Sequence, residues 1–87
     1  MPRHYENNSA IINADNTNFQ LNANGLDIQN TGTKSLTFDG IFIAPGTGRK
    51  FPTEIDGEIC IYYKKIQIIF ADGTGELIVN QFTYSRK

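Results

Sequence analysis

From Asn18 onward, apolar and polar residues alternate with a period of two. Phe19, Leu21 and Ala23 lead into Asn24-Gly25, and Leu26 and Ile28 continue the alternation beyond it. A strand sends successive side chains to opposite faces, so this rhythm predicts half-buried β-strands. Asn-Gly between two such segments predicts a tight hairpin, because both central residues of its turn take φ > 0. A two-residue turn there sets Ala23 opposite Leu26 and Leu21 opposite Ile28, which gathers the apolar residues on one face.

The same test applies to Asp39-Gly40, which sets Phe38 opposite Ile41 and Leu36 opposite Ile43. A β-bulge within one longer strand is the competing reading, since the alternation changes phase at Gly40. Ala44 to Gly48 reads as a loop from its Pro and Gly content. Phe51 to Ile55 predicts a short edge strand interrupted by Pro52, and Asp56-Gly57 turns the chain again.

The C-terminal third carries most of the predicted core. Ile59, Ile61 and Tyr63 share one face, and Ile66, Ile68 and Phe70 do so after Lys64-Lys65. Either the two lysines form a turn, or one long bent strand runs through them; without Gly or Asn the turn chemistry is poor. Asp72 to Gly75 predicts a further hairpin, with Leu77 and Val79 opposing Phe70 and Ile68. Apolar residues on both faces of 66–70 and 77–79 predict central strands covered on both sides. No stretch has a capped 3.6-residue period. The expectation is an all-β fold, a small antiparallel β-sandwich or barrel built from consecutive hairpins.

Composition modifies this picture in the N-terminal part. Eight of the nine asparagines fall at or before Asn30, and residues 1–17 are polar apart from Ala10-Ile11-Ile12. Such a segment has little to bury, so residues 1–17 are expected to be a polar arm, extended or disordered, with 18–87 as the single β domain. An arm of this kind can order by laying Ile11 and Ile12 on a neighbouring subunit. A chain of 87 residues buries only about 60% of its unfolded surface, and small domains usually draw on disulfides, metals or partners. Cys60 has no second cysteine and His4 is the only histidine, so self-association is the expected support and no cofactor is expected.

The net charge of −1 gives no drive toward nucleic acid or an anionic membrane. The first residues lack the apolar core of a signal peptide, and no apolar run approaches the ~20 residues of a membrane span. A soluble protein made in a reducing cytoplasm is expected.

Candidate chemistry is sparse. Gly46-Thr47-Gly48-Arg49-Lys50 lacks the spacing, the hydroxyl after Lys and the following helix of a phosphate loop, and reads as a solvated turn. Asp72 and Glu76 offer two carboxylates where a calcium loop supplies several, so a hairpin turn accounts for them better. Cys60 sits in an apolar strand with no base nearby, as expected of a structural thiol. Tyr62-Tyr63-Lys64-Lys65 is the most suggestive surface feature, since aromatics interleaved with lysines can stack bases and neutralise phosphates. With Tyr63 expected toward the core, lysines guarding a sheet edge against further pairing are the plainer account.

The run Asn30-Thr31-Gly32, Leu36 to Gly46, Ile66 to Phe70 and Leu77-Ile78-Val79 resembles small β-sandwich structural proteins of tailed-phage virions. The resemblance spans residues 30–84 and rests on a turn, a strand closed by a small-Gly pair, an apolar strand ending in Pro-Gly, and a late hairpin. It implies a non-enzymatic, homo-oligomeric assembly subunit, in a virion setting, and brings no catalytic residues. The expected contact residues are Ile11, Ile12, Tyr62, Lys64, Lys65 and Tyr84. The alternative expectation is a ligand-binding β module for carbohydrate or single-stranded nucleic acid, carried by Tyr62, Tyr84 and the Asn-rich loops.

Overall fold

The computed structural model describes residues 4–85, with side chains described for residues 5–84. Among the described residues ten strands form, and all their pairing is antiparallel. They are β1 (His4–Ala14), β2 (Asn16–Ala23), β3 (Gly25–Asn30), β4 (Leu36–Phe38), β5 (Ile41–Ile43), β6 (Gly48–Phe51), β7 (Glu54–Ile55), β8 (Glu58–Ile59), β9 (Tyr62–Phe70) and β10 (Thr74–Ser85). One four-stranded sheet has the order β1-β10-β3-β6 and the other β2-β9-β4-β5, while β7 and β8 form a separate small hairpin. The all-β, sandwich-like expectation is met.

The pairing is nested. β1 pairs with β10, β2 with β9, β3 with β6 and β4 with β5, as if one long hairpin had been folded over on itself. The additional pairs β10–β3 and β9–β4 close each sheet. Eight strands wound in this order over two sheets have the connectivity of a jelly roll.

This winding corrects the hairpin expectations at two places. Asn24-Gly25 does not join paired strands; β2 lies in one sheet and β3 in the other, so the chain crosses the sandwich there. Neither Asn24 nor Gly25 has positive φ. Asp72 to Gly75 likewise carries the chain from β9 in one sheet to β10 in the other. The physical reason is that strands facing each other across a core also direct matching alternate residues inward. One-sided apolar parity is therefore satisfied by a crossing as well as by a hairpin. Asp39-Gly40 is a true two-residue hairpin with the expected register, Leu36 opposite Ile43 and Phe38 opposite Ile41. Its φ values of 52° and 82° are those of the primed turn that Asp-Gly favours. Lys64-Lys65 lies inside β9, which is one continuous strand.

The segment expected as an arm also needs correction. β1 is extended, but it lies along β10 of its own chain from His4 opposite Ser85 to Ala14 opposite Thr74. No boundary falls at residue 18, since β1 and β2 each belong to a main sheet. The part of that expectation on residues 1–3 lies outside the described residues.

Asparagine and aspartate side chains act at the sheet crossings. Asp15 Oδ1 accepts the Phe70 N–H at 2.7 Å where β1 passes to β2. Asn24 Nδ2 donates to the Cys60 carbonyl at 2.9 Å, and its Oδ1 accepts the Tyr84 N–H at 2.7 Å. Asn30 is buried and donates to the carbonyls of Lys34 and Ile43 while accepting from the Gly32 N–H. Short amide and carboxylate side chains replace missing ladder bonds where a strand leaves its sheet. Between the sheets lies one core of Leu21, Ala23, Leu26, Ile28, Leu36, Phe38, Ile43, Ile66, Ile68, Phe70, Leu77 and Val79. Burial of each large member contributes about 1.5–3 kcal/mol.

Candidate interaction surfaces

The parity of β9 is set by Ile66, Ile68 and Phe70, all buried in the core. Counting back along the strand puts Tyr62 and Lys64 on the inward side and Tyr63 and Lys65 on the outer face. The structure thereby reverses the expected orientation of the tyrosine pair. Tyr62 is half-buried, its ring 5.8 Å from Phe51 in an edge-on contact and its hydroxyl donating to the Pro52 carbonyl at 2.9 Å. Tyr63 is 69% exposed and Ile61 is 78% exposed. The alternation read through Ile59, Ile61 and Tyr63 fails because β8 ends at Ile59 and β9 begins only at Tyr62.

Burial, followed by the neighbouring Cys60 thiol, raises the Tyr62 hydroxyl above its ordinary pKa of 10.0. Cys60 itself is half-buried, and its N–H donates to the Thr53 carbonyl at 2.8 Å. Tyr62 therefore serves packing between the β7–β8 excursion and the core.

The remaining expected contact residues fall on different surfaces. Lys64 pairs at 2.7 Å with Asp39, in the turn of the β4–β5 hairpin. Lys65 lies on the outer face opposite Gln20, beside Tyr63 opposite Asn22. Ile11 is 63% exposed on the outer face of the first sheet, opposite half-buried Ile78. Ile12 faces inward and packs against the core. Tyr84 is half-buried, its ring 5.8 Å from Tyr5. No single site gathers these six residues.

Sequence reasoning missed one concave surface. On the outer face of the second sheet, Thr37 lies between Ile69 of β9 and Phe42 of β5 in one cross-strand row. Phe42 is 67% exposed. These residues, with Ser35 and Ala71, line a shallow apolar groove of about 270 Å³. The signal available in the sequence was the apolar residue at the outward position of each strand, Phe42 between Ile41 and Ile43, and Ile69 between Ile68 and Phe70.

Among the described residues, no group of three or more His, Cys, Asp or Glu side chains is placed to hold a metal ion. No helix of the described residues is long and apolar enough to cross a membrane. The chain matches no family model, no curated protein and no solved structure.

Proposed function

We propose that this protein is a non-enzymatic assembly subunit that works through its sheet surfaces, self-association being the simplest form. The observation that carries this reading is apolar side chains on both outer faces: Phe42 and Ile69 flanking Thr37 in one groove on one sheet, Ile11 opposite Ile78 on the other. Outward apolar groups clustered with a second apolar neighbour favour contact with another macromolecule over contact with water. The jelly-roll winding is compatible with this, being used by viral capsid proteins, but also by lectin domains and cupins. Fold alone does not select among these, so the surface is what supports the reading. A virion-type assembly, implied by the sequence resemblance, is the specific setting proposed.

Light scattering across micromolar to high-micromolar concentrations tests the proposal. A mass above that of one chain, rising with concentration, is expected. A strictly monomeric species throughout removes self-association.

A second reading rests on a different observation. Tyr63 and Lys65 share an outer face with Asn22 and Gln20 directly opposite them. A flat aromatic ring edged by amides and an ammonium suits stacking on a sugar or a base. The informative substitution is Tyr63→Ala, since Tyr62 is engaged in packing. Glycan and oligonucleotide screens at low salt that show no binding by the wild-type chain would discard this reading.

A further inference from the structure

A sandwich of two open sheets has four edges, and they differ in how they are guarded. β5 is three residues long, and β6 is four residues long with Arg49 and Lys50 in it. On β2 the N–H of Asn22 is bonded by Gln81 Oε1 at 2.9 Å and that of Asn18 by Asn16 Oδ1 at 2.9 Å. Short strands, cations and self-capped amides each discourage another strand from joining. β1 has none of these three over eleven residues, its one irregularity being a register shift against β10 between Ile12 and Ala14.

The direction of the free groups on β1 follows from its partner. The Phe82 carbonyl accepts from the Asn24 N–H, and the Tyr84 N–H donates to Asn24, so these residues of β10 point away from β1. Antiparallel ladders alternate, so Gln81 and Thr83 point toward β1 and bond with Asn8 and Glu6. The N–H and C=O groups of Tyr5, Asn7, Ser9 and Ile11 therefore face outward. Among the described residues, no side chain occupies them.

We infer that the β1 edge is the self-association surface, pairing antiparallel with β1 of a second copy about a two-fold axis at Ile11. This inference rests on the self-association reading above and assigns its contact. The axis at Ile11 sets the exposed Ile11 side chains side by side on the outer face. It also sets Ala10 of each copy opposite Ile12 of the other, on the core side. Glu6 is the only charged residue between Tyr5 and Ala14, and this register places no like charges opposite one another. The two four-stranded sheets become one sheet of eight, closed by an isologous contact.

Two substitutions on the full chain test the assignment by light scattering, with circular dichroism as the check on folding. Ser9→Pro deletes an outward N–H that makes no bond to β10, and an edge strand tolerates proline at such a position. Ile11→Lys brings two ammonium groups together at the axis. Each is expected to weaken the dimer about tenfold or more while the fold persists. A dimer unaffected by both variants overturns the edge assignment but leaves self-association standing. A wild-type chain that stays monomeric overturns both. Amide hydrogen exchange on the wild-type protein gives a readout independent of the variants' folding. The Ser9 and Ile11 amides are expected to exchange fast when dilute and slow as the dimer forms, with Asn8 and Ala10 protected throughout. Fast exchange of Ile11 in the dimer overturns the assignment.

Discussion

Thr53 lies against the bare α-carbon of Gly25, so closely that a β-carbon on residue 25 would overlap the Thr53 methyl group. This close approach explains the glycine at the β2–β3 crossing, where φ is not positive. Gly25→Ala is expected to cost about 1–3 kcal/mol through overpacking. Thr53→Ser removes the obstructing methyl and should restore most of that loss in the double variant, measured by urea unfolding. Had residues 24–25 formed a primed hairpin turn, the loss would come from backbone strain and Thr53→Ser would restore nothing.

Asn30 is 1% exposed and serves three backbone groups with one side chain. Asn30→Ala leaves the carbonyls of Lys34 and Ile43 and the N–H of Gly32 without that partner. Unpaired buried groups cost about 1–3 kcal/mol each before relaxation and water entry. A net loss of about 2–4 kcal/mol is expected from chemical denaturation, and a loss below about 1 kcal/mol would show that water replaces the amide.

Asn24 ties the Cys60 carbonyl to the Tyr84 N–H. Both partners lie far from it in sequence, so the bonds close the end of the sandwich where β10 leaves β3. Asn24→Ala is expected to cost about 1–3 kcal/mol. It should also speed hydrogen exchange at the Tyr84 amide while leaving Val79, in the sheet centre, protected.

Tyr62 supplies a pH-dependent term. Its folded pKa is raised above 10.0 by burial first and then by the Cys60 thiol. The neutral hydroxyl is thus favoured in the folded state, and its contribution is fully present below pH 10 and lost as pH rises through the folded value. Tyr62→Phe loses the hydrogen bond to Pro52, about 0.5–1.5 kcal/mol near neutrality. The gap between wild type and Tyr62→Phe should narrow above pH 10. A gap unchanged up to the alkaline limit of folding would contradict the raised pKa.

The sequence made strand existence legible and strand partnership only partly so. Leu21, Ala23, Leu26 and Ile28 alternate as expected, and all four are in the core. Their parity could not distinguish a hairpin from a crossing, because both arrangements turn the same residues inward. At Asp39-Gly40 the sequence offered a hairpin and a bulge; the hairpin register it offered is the one formed, since its partners are local. The Asn-rich segment was misleading for a related reason. Its asparagines look like solvent-loving residues until their distant partners, such as Cys60 and Lys34, are in place. On the surface, Ile11 and Ile12 were both expected at a contact, but only Ile11 is exposed while Ile12 packs on the core, and Tyr62 and Tyr63 exchanged roles because the chain breaks its alternation between β8 and β9.

The nested pairing of β1 with β10 has a consequence for timing. During synthesis, His4–Ala14 emerges well before its partner and has no ladder to join until Thr74–Ser85 has been made. Contacts so distant along the chain make folding slow, since much of the chain must be ordered before they form. Throughout that delay both margins of β1 are bare, and they are open to the β1 of another nascent chain. Its polar makeup, with glutamate, serine and three asparagines among eleven residues, is then a safeguard that keeps the waiting strand dissolved.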